Sequence, residues 1–352
     1  MAANKALVSV ASGQAAIVDV PYPVLPRDDY IIVRTTAVAV NPTDWNHIDK
    51  AEGLGCLGCQ VGCDYAGVVE LVGPKVTKPF KKGDRICGPV NGSNGLRKED
   101  GTFANYIAVK GDLQIPIPEN ISDEEAATLG ISITTTGQGL YQTLGLPLPG
   151  NPSAEKTPIL IYGGSTATGI YGIQFAKLSG YTVIVTASPH NEEYLRSLGA
   201  DHVVDYKSAD AVAAVRAAAG GDLRLAWDCH STPESAVFCA RALNEDDVHY
   251  SALKYVQAAV LVVNPKATVD VSLYYTVFGE DFMYGEKLDA VPKNYEFGKT
   301  FWELSRELLA AGKVKPIRVS VNRGGSGLEG VLVGLNELRE GKVSGEKLVY
   351  TL

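Results

Sequence analysis

Two stretches of this sequence combine residue types and spacing that could do chemistry. The first is Ile159-Leu160-Ile161-Tyr162-Gly163-Gly164-Ser165-Thr166-Ala167-Thr168-Gly169-Ile170-Tyr171-Gly172-Ile173-Gln174, an apolar strand running through small residues into a helix. Small residues let backbone amides approach a pyrophosphate, and a helix start adds unpaired N–H donors and partial positive charge. Thr166 stands where the middle glycine of G-x-G-x-x-G would be, so the strict fingerprint fails. The strand–loop–helix context carries the reading against an ordinary turn. The second stretch ends the following strand, Thr186-Ala187-Ser188-Pro189-His190-Asn191. NAD-binding folds put a carboxylate there for the ribose 2′-hydroxyl. This chain has none, and Ser188, His190 and Asn191 can donate to a 2′-phosphate, which favours NADPH. Ser188 can also cap the next helix, and both roles can hold.

Metal chemistry has one candidate, Cys56-x2-Cys59-x3-Cys63. A structural zinc site wants four nitrogen or sulfur ligands, and no fourth lies nearby in sequence. These cysteines read as buried small hydrophobes, and no metal is expected.

The elements that position these residues fall into two kinds. From Lys5 to about Val109, short branched segments such as Tyr30–Val40, Asp64–Val72 and Phe103–Val109 alternate with turn clusters, the pattern of a small β-barrel. Ser122-Asp123-Glu124-Glu125 is a capping box and predicts a helix start. Leu146–Lys156 is a Pro/Gly-rich surface link into Pro158–Tyr162, a run suited to a buried parallel strand. Strands at Thr182–Ala187, His202–Val204 and Leu223–Cys229 then alternate with helices at 191–198, at 208–219 and after Pro233, the rhythm of a doubly wound parallel sheet. A long helix at about 295–311 and another at 328–340 sit in a tail that resembles the first part again.

The 352 residues suffice for about two domains. With 45% hydrophobic and 20% charged residues the chain is globular rather than disordered or fibrous. Thirty-two Lys+Arg against 40 Asp+Glu, a net charge of −8, argues against nucleic acid or anionic membranes as partners. No apolar run is long enough for a signal peptide or a membrane helix, so the reading is cytoplasmic. Six cysteines are too sparse for a disulfide framework.

At Asn41-Pro42-Thr43-Asp44-Trp45, Gly62-Cys63-Asp64-Tyr65-Ala66-Gly67, the Tyr162–Thr168 loop, Ser188-Pro189-His190-Asn191 and Ser344-Gly345-Glu346-Lys347-Leu348-Val349, the chain resembles the medium-chain dehydrogenase/reductase superfamily. Within it, the chain is similar to the zinc-independent, trans-acting enoyl reductases that serve fungal polyketide synthases. The resemblance implies an α/β fold with a GroES-like β-barrel catalytic domain over residues 1–130. A doubly wound Rossmann domain for NADPH would cover 131–290, and 291–352 would return to the catalytic domain. It implies cofactor contacts from Thr43, Asp44, Trp45 and Asn46, from Ser165, Thr166, Ala167 and Thr168, and from Ser188, Pro189, His190 and Asn191. Tyr206, Leu253, Lys254, Val343 and Ser344 complete that set. The substrate would lie between Gly130, Ile131, Ser132, Ile133, Thr134, Thr135, Thr136 and Gly137 and the segment Tyr274, Tyr275, Thr276, Val277 and Phe278, in a cleft between the domains. Zinc enzymes of the superfamily carry Cys where this chain has Asn41 and His-Glu where it has Cys63-Asp64.

The implied reaction is hydride delivery to the β-carbon of an α,β-unsaturated polyketide thioester, small or carrier-bound, with a polyketide synthase as partner. Relatives commonly have Lys directly after Thr-Asp-Trp, where this chain has Asn46. An amide can hydrogen-bond a carbonyl or a ribose but supplies no net proton. Asn46 and His47, the histidine read as lying in a loop, are the candidate catalytic residues. Loss of the Lys leaves two alternatives open, a redox-neutral double-bond isomerase and a non-catalytic partner of a synthase.

Overall fold

The computed structural model describes residues 4–352, which form two compact units, one of residues 4–134 with Tyr275–Leu352 and the other of Thr135–Tyr274. In the first unit, strand Tyr30–Ala39 is the spine. One edge pairs antiparallel with Asp64–Val72. The other edge is shared, Tyr30–Arg34 with Tyr106–Lys110 and Ala37–Ala39 with the C-terminal strand Lys347–Thr351. Arg85–Pro89, Ile115–Pro116 and Val319–Val321 extend the sheet. Ile31, Val33, Tyr65, Phe103, Leu348 and Tyr350 belong to its core. Helix Gly327–Arg339 presses on Tyr350 through Gly330 and Gly334, whose added Cβ atoms would come within 2.7 and 2.6 Å of that ring's atoms.

The second unit carries a six-stranded parallel sheet in the spatial order His202–Val204, Thr182–Thr186, Pro158–Tyr162, Leu225–Asp228, His249–Ala252, Thr268–Val271. In sequence terms that order is third, second, first, fourth, fifth, sixth, the doubly wound arrangement that binds dinucleotides beyond the strand C-termini where the order reverses. Trp227, fully buried, fits because Gly139 and Gly172 approach it; a Cβ on either would lie 2.3 or 2.4 Å from its indole.

Several expectations need adjustment. The chain rejoins the first unit at Tyr275 instead of 291, because Tyr275 hydrogen-bonds Thr43 and Glu280 is buried against Lys110 and Tyr30. It leaves after Thr134 instead of 130, since Thr134 accepts from the Trp302 indole at 3.1 Å. The expected strand Phe103–Val109 starts at Tyr106; Ala104 makes only an isolated bridge to Ala6. The expected helix at 191–198 divides into a 3₁₀ turn at Pro189–Asn191 and a helix at Glu192–Ser197, because Pro189 can open a turn earlier than the apolar spacing indicates.

Candidate active site

Helix Pro42–Asp49 opens with extended Asn41 at its N-cap and proline at its first position, where a missing N–H costs nothing. The Asp44 carboxylate accepts the Asn41 amide at 2.7 Å. Thr43 and His47 are four residues apart and share a helix face. The His47 ring therefore stands on a helix and not in a loop, with Nδ1 2.8 Å from the Thr43 carbonyl oxygen and 3.2 Å from its hydroxyl. That hydroxyl is 2.6 Å from the Tyr275 phenol. Tyr275 and Tyr284 meet the His47 ring edge-on at 5.7 and 5.6 Å between centroids. Burial lowers the His47 pKa and so favours the neutral imidazole, and burial pushes the Tyr275 phenol well up. Asn46 is half-buried, and its side chain has no hydrogen-bond partner among the described residues. Trp45 is half-buried beneath the Arg339 guanidinium, 5.9 Å from its ring centre, and its indole N–H has no acceptor among the described residues.

Beneath this helix lies a polar cluster that sequence reasoning had treated only as missing zinc ligands. Asp64, fully buried, accepts from the Asn41 side-chain amide at 3.0 Å, pairs with Lys347 and accepts the Ile131 amide at 2.6 Å. Lys347 also donates to the Thr128 carbonyl at 3.1 Å. Burial raises the Asp44 pKa to about 8, with the Asn41 backbone opposing the rise and Asp64 adding to it; one Asp44 oxygen accepts no hydrogen bond among the described residues. Burial, with Asp44 and Asp64 adding, holds the Cys63 thiol well above its ordinary value and keeps it protonated. Cys56 and Cys59 are buried with Ala51 as small hydrophobes. Among the described residues no three His, Cys, Asp or Glu side chains are grouped to hold a metal ion.

Helix Gly130–Thr136 follows, continued by a π-helical stretch at Gly137–Thr143. A Cβ on Gly130 would sit 2.4 Å from an Asp64 oxygen. Ile131 is half-buried; Ser132, Ile133, Thr135 and Thr136 are buried, and the Ser132 and Thr136 hydroxyls have no partner among the described residues. Tyr274, Tyr275, Val277 and Phe278 are buried as well, and Thr276 accepts from the Asn294 side chain at 2.7 Å.

In the second unit the loop after Pro158–Tyr162 turns at Gly163, whose φ of +83° suits glycine. Thr166 caps helix Ala167–Leu178, accepting the Gly169 amide at 3.0 Å and donating to the Gly163 carbonyl at 2.8 Å. The departure from the glycine fingerprint is thus a cap. The amides of Ser165, Ala167 and Thr168 keep no acceptor among the described residues, which is the donor set a pyrophosphate requires. Gly169 has no room for a Cβ, which would fall 2.3 Å from the Gly163 carbonyl oxygen.

At the end of the second strand Ser188 is half-buried, Pro189 and His190 are exposed, and Asn191 is buried with its amide 3.1 Å from His190 Nε2. Ser188 stands at the N-cap position without a side-chain capping bond. Tyr206 is exposed, its ring 6.1 Å from that of Tyr162. Sequence reasoning missed Asp228, at the end of the fourth strand. It accepts the His230 and Ser231 amides at 2.9 and 2.8 Å and the Ser235 and Tyr250 hydroxyls at 2.6 and 2.8 Å. Ser231, at φ +55°, accepts in turn the Leu253 amide at 2.8 Å. A carboxylate ending an apolar strand was the available signal. Lys254 is exposed; Val343, half-buried, and Ser344, exposed, belong to the first unit with Thr43–Asn46.

Residues 27–119 match the alcohol dehydrogenase GroES-like domain, and residues 167–274 match the zinc-binding dehydrogenase family. The chain is 46% identical to the trans-enoyl reductase resD of Aspergillus sclerotiorum, over 98% of this chain and 99% of that protein. It is 52% identical to the trans-enoyl reductase TOXD of Cochliobolus carbonum, over 80% and 93%. Its fold matches a zinc-dependent alcohol dehydrogenase-type protein from Rhizobium etli CFN 42 (TM-score 0.82, 22% identity, 99% and 98% covered) and the CurK enoyl reductase (TM-score 0.77, 18% identity, 99% of each). A GroES-like unit joined to a doubly wound nicotinamide-cofactor unit, with relatives of this identity over nearly its whole length, means that the chain belongs to the medium-chain dehydrogenase/reductase superfamily and, within it, to the fungal trans-enoyl reductases.

Proposed function

We propose that this chain is an NADPH-dependent, zinc-independent enoyl reductase, acting in trans with a polyketide synthase on a conjugated C=C bond of a polyketide thioester or related enone. The observation that carries the cofactor choice is the mouth of the second unit, where unpaired amides at Ser165, Ala167 and Thr168 stand with a second strand that ends without a carboxylate. The named relatives direct the chemistry to enoyl reduction.

Bound NADPH supplies the hydride. The loop amides hold the pyrophosphate, while Ser188 and His190 present donors to the 2′-phosphate. Asn46, with its amide unpaired, orients the substrate carbonyl or the nicotinamide ribose and steadies charge developing on the carbonyl oxygen. Neutral His47 has its Nδ1 directed at the Thr43 carbonyl, and the buried Tyr275 phenol is a weak acid. Neither readily supplies the α-proton, so that proton comes from water.

The deciding experiment uses both stereoisomers of 4-deuterated NADPH with an enoyl thioester. Deuterium at the product β-carbon from one isomer, and solvent deuterium at the α-carbon in heavy water, is the expected result. A rearranged product of unchanged mass without NADPH oxidation would make the chain an isomerase instead. Ser188→Asp should weaken NADPH binding by about 1–3 kcal/mol through repulsion of the 2′-phosphate, read by calorimetry.

A further inference from the structure

We propose that Asp64 and Lys347 are positioning residues for the reduction, fixing helix Pro42–Asp49 and the first turn of helix Gly130–Thr136 in one register within the first unit. This inference rests on reading the chain as a reductase. Three segments remote in sequence meet on a single carboxylate: Asn41 through its side-chain amide, Ile131 through its backbone amide, and Lys347 through its ammonium. Lys347 reaches on to the Thr128 carbonyl, one turn before Ile131. The approach is close, since Gly130 leaves no space for a Cβ beside Asp64.

Stability alone is a poor reason for such a pair. Two buried charges lose their hydration, and an apolar pair of similar volume often serves as well or better. What an apolar pair cannot do is accept a hydrogen bond. The Ile131 amide lies in a first helical turn, where amides have no intrahelical acceptor, and Asp64 provides it. Asn41 leads directly into Thr43 and Asn46, and Ile131 leads into the unpaired Ser132 hydroxyl. A shift of the Asp64 carboxylate would therefore displace both groups of candidate site residues together.

The first measurement is hydrogen exchange on the native protein. The Ile131 amide should be protected by at least about 100-fold, unlike an ordinary first-turn amide. The second compares two double variants. In Asp64→Leu/Lys347→Met the charges and the acceptor are gone. Exchange over 130–134 should quicken, and kcat should fall about 10- to 100-fold, with a smaller rise in the dissociation constant for NADPH because Asn46 moves with the same helix. Asp64→Asn/Lys347→Met returns an acceptor to Ile131 and should recover slow exchange and a large part of the lost kcat. An unprotected Ile131 amide in the native chain would overturn the proposal, as would an apolar pair with native exchange and turnover. If the apolar variant fails to fold, the native exchange decides. A native chain without reductase activity would sink the functional reading instead, because the exchange result needs no turnover.

Discussion

Asn46 was legible as soon as the sequence was read, because it departs from a Lys at a motif position. The structure adds that its amide is half-buried and unpaired. Asn46→Ala should lower kcat by about fivefold, the scale of one neutral hydrogen bond, with the same product formed. Asn46→Lys should keep or raise turnover; steady-state rates with product mass measure both. Asp44 was read from the sequence only by resemblance, and its electrostatics were not legible. With its pKa raised to about 8, Asp44 is protonated in the folded chain where it would be ionised in the unfolded chain. Its contribution is fully present below about pH 4, lost as pH rises from about 4 to 8, and constant above that. Asp44→Asn mimics the protonated form and keeps an acceptor for the Asn41 amide. Its stability relative to the native chain should improve by about 1.4 kcal/mol per pH unit across that window, and denaturant unfolding from pH 5 to 9 gives the slope. A difference independent of pH would show that Asp44 ionises normally. The Asp64–Lys347 pair was beyond sequence reasoning: both residues stand in stretches that carry the family resemblance, but they are 283 residues apart and nothing in either stretch says that they meet.

Among the elements, those defined by short-range rules were legible. Pro158–Tyr162 and His202–Val204 are strands at the expected residues, and Ser122 caps its helix by accepting the Glu125 amide at 3.2 Å. Elements that depend on a distant partner were not. The π-helical stretch Gly137–Thr143 has no sequence signature; it is associated with Gly139 meeting Trp227 and with the Thr143 hydroxyl donating to the Gly139 carbonyl at 2.6 Å. The cofactor loop stands between these cases. Its context was readable and Thr166 looked like a defect, yet that residue closes the helix. The glycine that cannot be replaced is Gly169, where an added Cβ meets backbone. Gly169→Ala should cost about 1–3 kcal/mol of stability and weaken NADPH binding at least tenfold, checked by thermal unfolding and titration. Native affinity in that variant would mean that the loop does not hold the cofactor.

At the scale of the molecule, the division into a barrel-like and a doubly wound unit was readable from the change in strand rhythm. The return point was not. Residues 275–290 look like an ordinary continuation of the second unit until Tyr275 and Glu280 find Thr43, Lys110 and Tyr30. The first unit also depends on the far end of the chain, because Lys347–Thr351 covers the Ala37–Ala39 edge of its central strand. A chain ending at Gly345 should be recovered mostly as aggregate, and the soluble fraction on expression at low temperature measures this. A soluble truncated chain with a native melting temperature would contradict that dependence. The same strand sets a timetable for synthesis. Residues 135–274 are one continuous stretch and can complete their sheet while the remainder is still being translated, but the first unit waits with an open edge and with Asp64 lacking its counter-ion. The first unit thus closes only once residues 347–351 have emerged, and the window before that is when the newborn chain most depends on chaperones.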